Sequence, residues 1–191
     1  MIVAAKTGDA DELTSEALDR FLQFTCPSLP HLIALLCRPT ESSIPPGAPL
    51  VVVDGLTGLL NHSLPRMPPQ TNGKGSGKGP SPGARRLQIL QVIVTALKKL
   101  ATSRGIAIVI LSQCATKMQA EGGAALIPAI NAGAWEEGIT NRVVLYRDFV
   151  TQEGATRALH FAAMEKKDGK AVNDGFFGDN AAFDIVPVRP S

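Results

Sequence analysis

The sequence predicts an α/β fold in which strands and helices alternate early and strands pair late. Three observations carry that expectation. Two short apolar runs, LVVV at Leu50 to Val53 and IAIVIL at Ile106 to Leu111, are β-branched and bounded by proline or glycine. Runs of that kind are how strands buried in a parallel sheet read. Between them, Arg86 to Ser103 carries Leu87, Leu90, Val94, Leu97 and Leu100 at helical spacing and stops at Gly105, so an amphipathic helix joins the two strands. After these come segments whose order suits an antiparallel edge.

Taken in order, Leu13 to Arg20 is polar with leucines at helical spacing, and Phe21 to Thr25 is a candidate short strand. Ser28 stands where a helix cap would, ahead of LPHLIALLCRP, and Pro39 ends that helix. The connector SSIPPGAP leads into the Leu50 strand. Asp54 follows it directly, and in open α/β sheets ligands gather at the carboxyl ends of strands. A carboxylate there serves nucleotide-binding sheets as the holder of magnesium. It serves equally as the cap of a following helix. His62 to Ala84 is rich in proline, glycine and serine, a composition that predicts a long flexible loop inside the domain. The strand of Ile106 to Gln113 is expected to be buried on both faces. A glycine-rich loop from Ala120 to Gly133 is then followed by a strand at Thr140 to Tyr146. Ala158 to Met164 and Ala182 to Val188 are expected to pair through the turn-rich KKDGKAVNDG. No internal repeat is apparent.

Composition narrows the function classes. The 191 residues, 45% hydrophobic and 19% charged, suit one domain of ordinary size. A net charge of +2 and a pI near 8.5 are mild, so nucleic-acid binding would need local clustering of charge. Such a cluster exists. Arg66, Lys74, Lys78, Arg85 and Arg86 fall in or beside the first loop with no acidic residue among them, and each could contact a phosphate. A soluble, lysine-dotted linker has the same composition. Neither loop holds an aromatic side chain for base stacking. Three cysteines, Cys26, Cys37 and Cys114, have no metal-ligand spacing and read as small buried hydrophobes in a reducing interior. No apolar run reaches the roughly 18 residues of a membrane span, and the amino terminus lacks a signal-like pattern. An intracellular, soluble protein with no membrane partner is expected.

NGKGSGKGP, Asn72 to Pro80, has a superficial likeness to a phosphate-binding loop. GxxxxGK[ST] would require glycine at Asn72 and Ser or Thr at Gly79. Pro80 and Pro82 are also expected to break the helix start that such a loop needs.

In order, LVVVDGLTGLL, ARRLQILQVIVTALKKLATSRG, IAIVILSQ and INAGAWEEGITNRVVLYRD resemble the core ATPase domain of the RecA family. The closer likeness is to the eukaryotic and archaeal strand-exchange recombinases and their paralogues. The resemblance covers roughly Asp19 to Pro187. It implies a RecA-like, mostly parallel twisted sheet flanked by helices, with antiparallel strands at the carboxyl-terminal edge and the amino-terminal P-loop unit missing. The whole chain is then a single partial core domain. Residue by residue, it implies that Asp54 takes the Walker B role on Mg-ATP and that Gln113 senses the terminal phosphate and couples it to DNA-binding loops. It places those loops at His62 to Ala84 and Ala115 to Gly133, so that Lys117 joins the candidate DNA contacts. For Gln113 the plain reading is a strand-terminal amide satisfying backbone groups. Trp135 is expected to pack against the domain, and Met164 to Lys167 falls where the family faces a neighbouring subunit's nucleotide; a solvated strand end reads the same way.

The chain also departs from that family. Walker A is absent, only 53 residues precede Asp54, and Glu12 and Glu16 are poor counterparts of the family's catalytic glutamate. Phosphoryl transfer needs the lysine and backbone cradle, so no ATPase activity is expected of the chain alone, and ATP with magnesium is expected not to bind it alone. The resemblance implies a nuclear recombinase-paralogue subunit in DNA repair, bound to DNA and to related subunits. Two alternatives remain: a RecA-like scaffold of another assembly, such as tRNA modification, and a DNA-dependent ATPase truncated before its P-loop half.

Overall fold

The computed structural model describes residues 2–5, 21–64, 80–119, 123–130, 133–152, 155–172 and 180–185. The chain divides into two compact units, Met1–Gly138 and Ile139–Ser191. Both are built of helices and sheets or of sheet alone, and the fold class is mixed α/β.

The first unit centres on a four-stranded sheet of order β2-β1-β3-β4. Its strands are β1 (Ile2–Ala5), β2 (Leu22–Phe24), β3 (Leu50–Val53) and β4 (Ala107–Ile110). β3 and β4 are parallel, with Val51 beside Ile108 and Val53 beside Ile110. β1 runs antiparallel to both its neighbours. The expectation of a mostly parallel sheet is therefore corrected: among the described residues β3 and β4 form the one parallel pair. β2 bears out the short strand expected after Phe21. The helical reading of Leu13 to Arg20 lies outside the described residues.

Among the described residues four helices accompany the sheet: α1 (Leu29–Cys37), α2 (Leu56–Ser63), α3 (Pro82–Arg104) and α4 (Gly133–Gly138). α1 starts after Ser28 as expected, but the Ser28 hydroxyl pairs with His31 Nδ1 at 2.6 Å and makes no cap bond to the backbone. α3 is longer than expected because Ser81 accepts from the Ala84 N–H at 3.2 Å and Pro82 opens the helix. Proline is well suited to a first turn, where its missing N–H costs nothing; the expected helix break at Pro82 is in fact a helix start. At the other end Gly105, at φ 64°, takes the left-handed conformation that closes α3.

The apolar stripe of α3 is rotated from the expected one. Leu90, Leu97 and Leu100 are buried as expected, but Ile93 and Ala96 join them, while Leu87 is 50% exposed. With Leu32 and Leu36 of α1, Leu56 and Leu60 of α2, and Val51 and Val53 of β3, they form the core. Burying each such side chain is worth about 1.5–3 kcal/mol. Val109 and Leu111, expected to be buried, are 43% and 49% exposed. The register sets Leu50, Val52, Ala107 and Val109 on one face of the parallel pair. That reverse face is the open one, and β4 is covered on one side only.

Where a glycine-rich loop is expected from Ala120 to Gly133, the chain instead forms β6 (Gly123–Pro128), which pairs as a hairpin with β5 (Cys114–Gln119), from Cys114 with Pro128 to Gln119 with Gly123. α4 follows, with Trp135 buried as expected and Lys98 Nζ donating to Glu137 O at 3.3 Å. Of the cysteines, Cys37 and Cys114 are exposed, contrary to expectation. Cys26 is half-buried, and burial pushes its thiol above the usual range.

The second unit is an antiparallel sheet of order β10-β8-β7, made of β7 (Arg142–Gln152), β8 (Ala155–Lys167) and β10 (Asn180–Phe183). β9 (Lys170–Ala171) pairs back on β8. The strand at Thr140 to Tyr146 and the late strand pairing are thus borne out, while residues 186–188 lie outside the described residues. Asp168 at φ 50° and Gly169 at φ 79° make the two-residue turn between β8 and β9, as Asp-Gly favours. Tyr146 stacks on Phe161 with ring centroids 5.3 Å apart, and Asn180 Nδ2 donates to the Tyr146 hydroxyl at 3.1 Å.

Among the described residues no helix is long and apolar enough to cross a membrane. Gly138 ends α4 where a Cβ would overlap Val94 Cγ1 of α3. Gly138→Ala is therefore expected to lower stability by about 1–3 kcal/mol, read as a lower denaturation midpoint in urea; an unchanged midpoint would show that Val94 can rotate away.

Candidate functional site

β3 delivers Asp54 to the carboxyl end of the sheet, and Gly55 then turns the chain at φ 75° so that α2 starts immediately. Gly55, not Asp54, is the capping residue of α2. The helix-cap reading of Asp54 is thereby displaced. The parallel ladder runs one bond past β3, since the Leu111 N–H donates to Val53 O at 2.9 Å. Asp54 and Leu111 therefore stand opposite each other as the two strands leave the sheet.

Gln113 stands elsewhere than expected. β4 ends at Ile110, and the exposed Gln113 lies beyond it at the base of the β5–β6 hairpin. Its main-chain oxygen accepts from the Ala129 N–H at 3.0 Å, which extends the hairpin by one bond. The structure thus puts an amide where strand β4 gives way to the hairpin, two residues past the last ladder bond.

Thr57, in the first turn of α2, is 4% exposed. Its hydroxyl has no hydrogen-bond partner among the described residues. A buried hydroxyl without a partner costs about 1–3 kcal/mol. The sequence offered no sign of this, because Thr at a helix start reads as ordinary.

The candidate DNA contacts separate into three kinds. Arg66, Lys74 and Lys78 lie outside the described residues. Arg85 and Lys117 are exposed, one on the first turns of α3 and one on β5. Arg86 is half-buried and holds the end of α2: its guanidinium donates to Leu60 O at 3.2 Å, Leu64 O at 2.9 Å and Asn61 Oδ1 at 2.9 Å. Helix ends leave carbonyls without partners, and a cation there satisfies them and opposes the helix dipole. At the far end of α3, Arg104 donates instead to carbonyls of the connector between α1 and β3, Ile44 O and Pro39 O. The first-loop boundaries shift as well, because α2 runs through Ser63 and α3 begins at Pro82.

As a nucleotide site these residues are incomplete. Asp54 supplies a carboxylate at this sheet end, but neither Asp54–Thr57 nor Leu111–Gln113 contains a Lys or Arg. ATP with magnesium carries net negative charge and needs cations and a backbone cradle. The described residues at this sheet end do not fit it unaided. Among them no group of three or more His, Cys, Asp or Glu side chains could hold a metal. A cleft of about 580 Å³ opens between α1 and α3, lined by Leu36, Gln91, Val92, Ala96, Lys99 and Leu100. It includes none of the strand-end residues.

No model of a known protein family matches the chain, and no curated protein matches it.

Two substitutions separate structural from ligand-facing roles here. Arg86→Ala removes three bonds to the end of α2 and is expected to lower stability by about 1–3 kcal/mol, whereas Arg85→Ala leaves the melting temperature unchanged; equal effects would assign both side chains to solvent. Thr57→Val keeps the shape and removes the unpartnered hydroxyl, so thermal denaturation should show equal or higher stability, and a clear loss would reveal a bond to that oxygen.

Proposed function

We propose that the chain is a RecA-like subunit of the recombinase-paralogue class, acting in nuclear DNA repair by homologous recombination within a hetero-oligomer of related subunits. One observation supports this most: parallel strands β3 and β4, joined by the α2–α3 crossover, end beside each other at Asp54 and Leu111, and the chain leads on through Ser112 and Gln113 into a hairpin. The resemblance calls for that order of elements. In this reading Asp54 faces the magnesium of a nucleotide whose phosphates are cradled by residues that Asp54–Thr57 and Leu111–Gln113 lack. Gln113 links that end of the sheet to the β5–β6 hairpin, with Lys117 and the cations of the first loop meeting the DNA backbone. No step of hydrolysis is assigned to this chain by itself.

A second reading, a scaffold subunit without a DNA role, is favoured by Arg86. One of the five clustered cations is a clamp on α2, which weakens the case that the cluster exists to hold phosphates.

Binding of a labelled single-stranded oligonucleotide, titrated by anisotropy across salt concentrations, decides between them. The recombinase reading expects salt-dependent binding, and changing Lys74, Lys78 and Arg85 together to Ala should make the salt slope shallower by up to about 2, at roughly 0.7 per phosphate contact on single strands. No binding at low salt favours the scaffold. Millimolar ATP with magnesium should leave the melting temperature of the isolated chain unchanged, because ligand that does not bind the folded state cannot stabilise it; a rise of several degrees would contradict the reading of an incomplete site.

A further inference from the structure

The sheet of the second unit carries unlike chemistry on its two faces. Side chains alternate along a strand and directly paired residues share a face, so the register sets Leu145, Arg147 and Phe149 of β7 together with Ala158, His160 and Ala162 of β8 and Ala181 and Phe183 of β10. Arg147, His160 and Phe183 form one row across the three strands. The Arg147 guanidinium lies 5.5 Å from the centroid of the Phe149 ring, and the His160 and Phe183 rings have centroids 5.7 Å apart. Phe149 is 61% and Phe183 38% exposed, and the small alanines of the neighbouring positions leave space beside them. The register shift at Arg142 sets Lys166 beside Arg142 on the reverse face, so Lys167, one residue on, and its partner Lys170 return to the face of the rings. These two lysines are exposed and directly opposed. Like charges so placed cost stability, and an anion set against both removes that cost. Among the described residues no acid shares this face: Asp148 alternates to the reverse side, where Glu165 pairs with Arg142 at 3.4 Å and Asp184 with Arg157 at 3.6 Å.

We propose that this face is a stacking platform for single-stranded nucleic acid, with bases on the Phe149 and Phe183 rings and the Arg147 guanidinium, and phosphates against Lys167 and Lys170. Exposed planar side chains take bases of any sequence, and cations unanswered by acids take the backbone; single-strand surfaces combine these two features. Bases inside a duplex have no free face to give, so the single strand is the form that fits. Phe149 and Phe183 stand one row, about 7 Å, apart along the strands, and the lysine pair lies roughly 20 Å beyond. The ligand therefore spans several nucleotides. A second copy of the chain fits less well, because its own face would bring Arg147, Lys167 and Lys170 toward the same cations with no carboxylate between them. An acidic peptide would answer the lysines and leave the rings without planar partners. For its ligand the platform rests on the DNA-binding side of the proposed function, but it uses none of the residues named there and supplies the aromatic stacking that the two loops lack.

Two labelled strands titrated by anisotropy against the full chain read bases and phosphates separately: oligo-dT of about 16 nucleotides, and an abasic phosphodiester strand of the same length. Wild type should bind oligo-dT about fivefold or more tightly than the abasic strand, since a single stacked base contributes at least that much; this comparison needs no variant. Phe149→Leu with Phe183→Leu keeps the side chains apolar and should abolish the preference while leaving the salt slope unchanged. Lys167→Ser with Lys170→Ser should weaken binding of both strands and make the slope shallower by up to about 1.4, at roughly 0.7 per phosphate contact. Without ligand, the melting temperature of that lysine variant should stay equal or rise, because the opposed charges are gone. Equal wild-type affinity for the two strands, a phenylalanine variant that keeps the preference, or an unchanged slope without the lysines overturns the platform and leaves the first-loop contacts standing. No binding of either strand overturns both. A wild-type dimer in light scattering that the phenylalanine changes disperse gives the face to a second copy and likewise overturns the proposal.

Discussion

Pairing β3 with β4 in parallel obliges the chain to return from the carboxyl end of one strand to the amino end of the next, and the first unit is organised around that return. A tight turn cannot make the journey; a crossover packed on the sheet can. Here α2 and α3 make it, and α3 alone has the length to span the sheet and go on to touch every other helix ending. Arg86 near its start holds the carbonyls that close α2, Lys98 reaches the end of α4, and Arg104 at its close holds the connector between α1 and β3. The buried stripe of Leu90, Ile93, Leu97 and Leu100 supplies the main share of the attraction, and the cations fix which helix end sits where.

What was legible in the sequence is what local patterning controls. LVVV and AIVI are strands because β-branched runs between prolines or glycines have few alternatives, and Gly105 ends α3 because its left-handed φ is cheap only for glycine. Asp-Gly at 168–169 likewise announced its turn. What was not legible depends on partners distant in sequence. The rotation of α3 that buries Ile93 and exposes Leu87 is decided by α1 and α2, and helical spacing alone admits both stripes. The role of Arg86 rests on acceptors 22 and 26 residues away, so the residue read from sequence as a phosphate contact. The β5–β6 hairpin reads as a loop because of its glycines; its pairing, Thr116 beside Leu126 and Lys117 beside Ala125, depends on a partner strand that local pattern does not reveal.

The candidate site shows the same division. Asp54 was placed by the strand that precedes it, and the structure keeps it at the sheet's carboxyl end, with the capping duty given to Gly55. Gln113 was placed by its resemblance to a strand-terminal sensor, and the structure moves it off the strand to a hairpin base. An amide at such a junction has a mechanical position that a mid-strand amide lacks: the bond from Ala129 to its main chain makes any shift of Gln113 a shift of the hairpin's first rung. The carboxylate and the amide thus stand on different elements, one at the end of core strand β3, the other where β4 gives way to a two-stranded ribbon.

Burial carries the last step. Val51 and Val53 are 0% and 2% exposed, yet Val109 on the adjacent strand of the same parallel pair is 43% exposed. Parallel pairs are ordinarily covered on both faces, and their sequences are apolar on both for that reason. β4 has that composition without that cover. β4 itself is the four residues Ala107–Ile110 within the apolar run Ile106 to Leu111. Backbone groups that face water are hydrogen-bonded by it, so what the exposure of this strand forfeits is apolar burial: covering Val109 and Leu111 further would recover part of it at about 25 cal/mol per Å², whatever element provided the cover.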